Sequence, residues 1–459
     1  MSTASSTPGV RRRAPGAVKA YVASLTGTSL EYYDFALYSV ASAVVFPIVF
    51  FPSDDPYVGL LLSFSTFAVG YLARPLGGIL FGRLGDRVGR KSVLVWTLLL
   101  IGIATVLIGL LPGYATLGIA ASVALVLLRL AQGIGVGGEW GGAVLLSSEF
   151  ADPRSRGLWA SAAQIGVPVG NLLANGALAV LAATLSEQAF LDWGWRVGFL
   201  ASALLVAFGL VIRLRLEETP VFQALAQRAE RPKAPLLEVF RTHPRALVAA
   251  ALSRIGPDVL YSLLTVFLAT YATSVLGLET SQVLTAVLIG SSTQIVVMPL
   301  AGWLTDRLNR RAVYAAGAVL TAIWVPVLFA IIQGGDVVLL TVGIVVGMML
   351  HALMYGPQAA YITEQFPARL RYAGSSLAYT LAGVVGGAPA PLLFTILHAE
   401  TGSWIAIAVY LAVAATLTVV GLALGRDPED AEDLALLEAG MGVADADAGS
   451  GTARTQERP

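Results

Sequence analysis

Twelve stretches of this chain run about 20 residues or longer with little or no charge: 21–50, 57–82, 92–112, 117–148, 158–184, 195–214, 246–275, 282–304, 312–332, 337–362, 373–398 and 402–425. A hydrocarbon core about 30 Å thick takes about 20 apolar residues of helix to cross. Lipid offers no partner to a free backbone group, so each stretch is predicted to be a transmembrane helix. Charged residues make up 13% of the 459, where soluble domains carry roughly 25%, which excludes an ordinary soluble enzyme. The fold class is all-α integral membrane.

The cations fix an orientation. Arg11, Arg12, Arg13 and Lys19 precede the first span, Arg83, Arg87, Arg90 and Lys91 follow the second, and Arg213 to Arg245 fill the middle of the chain. Arg74, Arg129 and Arg254 fall inside spans and Arg196 in an outer loop, and the other 25 of the 29 cations share one face. The positive-inside rule makes that face cytoplasmic, with both termini on it. The segment ahead of the first span lacks the apolar run of a cleaved signal peptide. Residues 1–20 read as a cytoplasmic segment, 21–214 and 246–425 as two six-helix bundles, 215–245 as a cytoplasmic linker and 426–459 as an acidic disordered tail.

Several chemistries are excluded. Cysteine is absent, so thiolate catalysis and cysteine-held metal are impossible, and no H-E-x-x-H is present. No lysine follows a glycine, which removes the phosphate-binding P-loop and with it ATP as direct energy source. Gly133-Ile-Gly135-Val-Gly137-Gly138 matches G-x-G-x-x-G but lies inside an apolar helix with no preceding strand, so it reads as a close-packing surface. A formal net charge of zero gives no footprint for nucleic acid. No cofactor or metal is expected.

The sequence repeats itself. Gly82-x-x-x-Asp86-Arg87-x-Gly89-Arg90-Lys91 returns 220 positions later as Gly302-x-x-x-Asp306-Arg307-x-Asn309-Arg310-Arg311. Glu149, Arg154, Arg156 and Gly157 are echoed by Glu364, Arg369, Arg371 and Gly374. Two homologous halves explain both echoes.

This duplicated G-x-x-x-D-R-x-G-R-[RK] motif resembles the major facilitator superfamily. Leu30-Glu31-Tyr-Tyr-Asp34-Phe35, Ala73-Arg74-Pro75-Leu76-Gly77-Gly78 and Arg129-x-x-Gln132-Gly133 through Glu139-Trp140 are similar to its metabolite:proton symporter branch, over residues 20–425 or so. Phe190 to Arg196 is similar to shikimate permeases, with α-ketoglutarate, citrate and proline/betaine porters as near relatives. The resemblance implies two pseudo-symmetric bundles in a bacterial inner membrane and a proton-coupled symporter working by alternating access. It also implies a cytoplasmic gate holding the halves together, made of Gly82, Asp86, Arg87, Arg90, Asp306 and Arg307, with Glu149–Arg156 and Glu364–Arg371 in the same lock. Asn309 departs from the motif and predicts a weaker second gate.

Charges within a bilayer are costly and mark function by default. Asp34 lies about 14 residues into span one and Arg129 about 12 into span four, both at mid-depth at about 1.5 Å per residue. They can meet across the cavity, either as a proton carrier with an alternating partner or as a static ion pair; Glu31, one turn away, is the rival carrier. Arg254, Asp258 and Tyr261 form one stripe of span seven. That stripe is either an internal salt bridge or a fork for a substrate carboxylate. Gln164, Asn171 and Asn175 in span five, and Tyr355 and Gln358 in span ten, either bind substrate hydroxyls or tie helices together, and His351 on the span-ten stripe is either a hydrogen-bonded packing residue or a proton relay.

The expected partners are therefore a small-molecule substrate, protons and the lipid bilayer, with one chain as the functional unit. The substrate is expected to be a small organic acid, shikimate-like or a dicarboxylate. A proline/betaine-type zwitterion, or facilitative transport without protons, is the alternative.

Overall fold

The computed structural model describes residues 16–227, 235–426 and 433–439. Twelve long helices run through these residues: α1 (Ala17–Val44), α2 (Pro56–Val88), α3 (Arg90–Leu110), α4 (Ile119–Ser148), α5 (Arg156–Thr184), α6 (Trp195–Leu214), α7 (Pro244–Ser274), α8 (Thr280–Thr305), α9 (Arg310–Ile332), α10 (Val337–Glu364), α11 (Ala368–Thr401) and α12 (Ile405–Leu424). Ten of the predicted spans fall on helices that are both long and apolar enough to cross a membrane. The other two, α1 and α5, have 28 and 29 residues and the length to cross. What lowers their hydropathy is their polar content, Glu31 and Asp34 in one and Gln164, Asn171 and Asn175 in the other.

The first six helices pack among themselves, as do the last six, and the two sets meet where α2 and α4 face α11 and where α5 faces α8 and α10. Glycine sets how closely backbones approach. A Cβ on Gly133 or Gly137 of α4 would collide with the α2 backbone at Gly70 and Arg74, so the glycine run is indeed a helix-packing surface. Gly157 and Gly302 bring α5 and α8 together in the same way, and Gly82 leaves only 3.2 Å between a built Cβ and Ala373 Cα of α11.

Contacts between the sets gather at the cation-rich ends. Asp306 accepts from the backbone N–H of Gly157 at 2.7 Å and of Leu158 at 2.9 Å, capping α5 across the seam. Tyr372 donates to the Gly138 carbonyl at 2.7 Å, and Arg90 to the Ala368 carbonyl at 3.4 Å. The α2–α3 turn needs its glycine. Gly89 has a positive φ that side-chain-bearing residues rarely adopt, and Glu218 accepts from the N–H groups of Arg90 and Lys91 in the space a side chain would fill. In the second copy Asn309 has an ordinary extended backbone and caps α9 instead, accepting from Ala312 N–H at 3.0 Å. The departure from the motif therefore builds a different turn.

The lock differs from its expected pairing. Glu149 pairs with Arg90 at 3.5 Å and accepts from Thr219, and Glu364 pairs with Arg310. Arg156 and Arg371 both pair with Asp433, inside the tail read as disordered; residues 433–439 are helical. The resemblance paired Glu149 with Arg156 and Glu364 with Arg371, whereas in the fold each acid meets an arginine of another segment and both arginines meet Asp433. Arg307 lies over the Trp303 ring at 4.0 Å, Arg87 is half-buried, and the Asp86 side chain lies outside the described ones. Residues 1–15, 228–234, 427–432 and 440–459 also lie outside them.

Replacing Gly302 by Leu is expected to force α5 and α8 apart at a cost of about 1–3 kcal/mol, read as a lower melting temperature in detergent. Gly176→Leu, where a Cβ meets nothing within 4 Å, is the control and should melt as the parent does.

Candidate functional site

A cavity lies between the two helix sets at mid-depth. Tyr32 and Phe35 of α1, Tyr71 and Arg74 of α2 and Val167 of α5 form one wall. Arg254, Asp258 and Tyr261 of α7, His351 and Tyr355 of α10 and Tyr379 of α11 form the other. Two π-helical turns, Leu263–Phe267 and Gly383–Gly387, interrupt α7 and α11 beside it, and Ser262 reaches the Gly387 carbonyl at 3.5 Å. On the side of the cation-rich ends the floor is a stack. Trp140 lies parallel to Tyr379 with ring centres 3.9 Å apart. The Arg254 guanidinium covers the other face of Tyr379, so stacking and cation–π attraction act on the same ring.

The cavity's two arginines are not equivalent. Arg254 donates through Nε to Asp258 Oδ1 at 3.0 Å and through Nη1 to the Tyr379 carbonyl, so its charge is neutralised within the wall. Arg74 lies over Tyr71 at 4.2 Å and Phe35 at 5.4 Å and, among the described residues, makes no hydrogen bond or ion pair. A guanidinium whose five donors make no hydrogen bond, with ring faces against it and the Glu31 and Asp258 carboxyls within electrostatic reach, is a site that can take an anion. The sequence flagged Arg74 as an intramembrane charge without giving it a role. Tyr71 is one turn from it in α2 itself, but the place of Arg74 beside Phe35 depends on how α2 packs on α1, which no local pattern encodes.

Gln164, Asn171 and Gln358 are tied to helices rather than set in the cavity wall. Gln164 donates to the Tyr355 carbonyl at 2.9 Å and accepts from Trp140 Nε1 at 2.9 Å. Gln358 donates to the Tyr314 hydroxyl at 3.1 Å. Asn171 donates to the Tyr261 hydroxyl at 2.8 Å, a hydrogen bond between the two sets. His351 faces the cavity but packs against Tyr355, ring centres 4.8 Å apart, and shares a 2.8 Å hydrogen bond with Gln294.

Asp34 does not face this cavity. It points to the opposite side of α1, into a small pocket inside the first helix set shared with Glu31, Thr105 and Glu139. Thr105 Oγ1 donates to it at 2.5 Å and Gln132 Nε2 donates at 2.8 and 2.9 Å to its two oxygens. Arg129 does not touch Asp34 directly. Its Nη1 donates to Gln132 Oε1 at 3.1 Å, so the amide relays one to the other, and its guanidinium lies over Tyr38 at 4.0 Å. Sequence depth alone brought the two charges to one level; Gln132, a helical turn from Arg129, was legible in the R-x-x-Q spacing but went unassigned. Phe35, next to Asp34 in the chain, stands 5.4 Å from Arg74 and 5.9 Å from Arg129, between the two cations.

Glu139 forms an ion pair with Arg213 and accepts from Thr97 at 2.5 Å. Arg213, counted by sequence with the cytoplasmic cations, is 1% exposed at the end of α6, because that acid draws it inward. Glu31 is also buried, and its Oε2 has no hydrogen-bond partner among the described residues.

The profile of the Major Facilitator Superfamily matches residues 24–391 and 260–444. The chain belongs to that superfamily. It is 41% identical over 416 residues to the inner membrane metabolite transport protein YhjE of Escherichia coli (strain K12), covering 89% of this chain and 94% of the relative. It is 35% identical to the shikimate transporter of the same organism, covering 90% and 95%. A solved structure of the proton:xylose symporter XylE bound to 6-bromo-6-deoxy-D-glucose superposes with a TM-score of 0.71 over 89% of this chain and 94% of that one, at 18% identity, and so shares the fold. This member of the superfamily is a multi-pass membrane transporter of a small molecule and not an enzyme.

Glu139→Gln alone leaves Arg213 buried and unpaired and is expected to destabilise by about 3–5 kcal/mol, while Glu139→Gln with Arg213→Met recovers most of the loss. Melting temperatures of the two variants test this.

Proposed function

We propose that this protein is a proton-coupled symporter of a small organic acid, working by alternating access in a bacterial inner membrane with both termini in the cytoplasm. The observation that carries the reading is the pairing pattern in the cavity: Asp258 neutralises Arg254, while Arg74 has no hydrogen-bond or ion-pair partner among the described residues. A guanidinium with no hydrogen-bond or ion-pair partner suits a ligand carboxylate, so a shikimate-like organic acid fits the site. The surrounding tyrosine hydroxyls suit a hydroxylated ring.

Asp34 is the proposed proton carrier. In this conformation, closed at the cation-rich ends and hence facing outward under the proposed orientation, its carboxyl is held by Thr105 and by Gln132, which in turn is held by Arg129. Substrate bound at Arg74 presses on Phe35, and Phe35 is joined through one peptide bond to Asp34. A shift of α1 therefore couples an event on one of its faces to the carboxyl on the other. Glu31 is a second buried carboxyl on that path. In the gate, the contacts of Asp306 with the α5 N–H groups and of Arg90 with the Ala368 carbonyl are proposed to break when the cytoplasmic end opens, while the Arg310–Glu364 and Arg90–Glu149 pairs brace each set from within.

A second reading has its own observation: Asp258 Oδ2 is buried without a hydrogen-bond partner among the described residues, beside tyrosine rings. An ammonium group could sit there with its carboxylate on Arg74, which is the zwitterion case.

Arg74→Gln is expected to weaken binding of an organic acid roughly tenfold or more, measured by calorimetry on the purified protein against a panel of acids and betaines. Unchanged affinity would remove Arg74 as the anion ligand, and preferential binding of betaines would favour the second reading. In proteoliposomes, Asp34→Asn is expected to abolish uphill uptake and retain counterflow exchange; accumulation equal to the parent's would exclude Asp34 as carrier.

A further inference from the structure

We propose that residues 433–439 are a latch: Asp433 fills an anion site made of Arg156 and Arg371, and so fastens the two helix sets together at their cation-rich ends. Arg156 opens α5 in the first set and Arg371 lies at the start of α11 in the second, each directly after a 3-10 turn, Pro153–Ser155 and Ala368–Leu370. They are the duplicated arginines of the sequence, here facing each other across the seam. Arg371 Nη2 donates to both oxygens of Asp433, at 2.8 and 2.9 Å, and Arg156 Nη1 donates to Oδ2. Asp433 is 3% exposed and the two arginines are 3% and 2% exposed. Without the carboxylate the two buried guanidiniums lose the one group they share, and Arg156 keeps only the attraction of Glu364 and Glu149; with it, each is held to the same group.

The segment has a seat of its own. Leu436 packs with Val221, Ala224 and Leu225 of the Pro220–Gln227 helix and with Ala368, and Leu437 joins the main core; both leucines are 1% exposed. Burial alone would push the Asp433 carboxyl up, but Arg371 and Arg156 outweigh it and hold it well below the usual carboxylate range. The contact is therefore intact at every physiological pH, and what releases it is movement of the halves. Opening at this end separates Arg156 from Arg371, so at least one arm of the bridge must break. The latch adds to the stability of the conformation closed here and slows the opening. This rests on the alternation of the halves and on neither the proton nor the substrate assignment.

The chain has no cysteine, so spin labels can be placed at Arg154→Cys and Leu308→Cys, both exposed at these ends in different sets. Electron–electron distance measurements on the full chain in nanodiscs need no transport and are separate from any failure of the proposed function. Asp433→Asn, and a chain ending at Arg426, are expected to raise the population at long distance roughly fivefold or more. Asp433→Glu is expected to keep the parent distribution. Leu436→Asn, which leaves all three charged groups and loosens only the seat, should shift it in the same direction as Asp433→Asn even if the latter does not fold. Distributions unchanged by Leu436→Asn and by truncation would overturn the proposal, as would an Asp433→Glu variant displaced as far as Asp433→Asn.

Discussion

A charge carried into the membrane-spanning part of this protein is costly to leave without a partner, by at least a few kcal/mol. That cost organises the interior. Glu139 draws Arg213 in from the end of α6, Asp258 holds Arg254 within its own helix, and Gln132 spans the gap between Arg129 and Asp34. Arg74 in the cavity and Glu31 behind α1 are left outside these pairs. Where pairing is complete the structure is fixed, and where it is incomplete there is room for a ligand or a proton.

The same logic closes the cation-rich end. Asp306 places its two oxygens on the N-terminal N–H groups of α5, and its neighbour Arg310 holds both it and Glu364. The Asp306 contacts cross between small, close-packed surfaces at Gly157 and Gly302 and are lost when those surfaces part, while the Arg310 pairs stay within the second set. Such an arrangement has two states rather than a continuum of intermediate openings, which is what alternation between two faces requires.

Much of this was legible in the sequence. Span positions follow from hydrophobic length, and the duplication from the repeated G-x-x-x-D-R-x-x-R. The glycine run in α4 was readable as packing because it had no strand before it. What could not be read depends on contacts between segments distant in the chain. Asp433 lies 277 residues from Arg156 and 62 from Arg371, with no local pattern to connect them. The face of α1 on which Asp34 sits was also out of reach: helical spacing puts Glu31 and Asp34 near one stripe, but only the packing of α3 and α4 shows that the stripe turns away from the cavity.

The central claim is that a solute in the cavity and a proton on the far side of α1 are linked through that helix. Calorimetric titration of an organic acid into the purified protein, in two buffers of different ionisation enthalpy, counts the protons exchanged on binding. The account predicts uptake of about one proton per solute bound near neutral pH and a clear reduction in the Asp34→Asn variant. Equal proton uptake by the two proteins, or none by the parent, would contradict it.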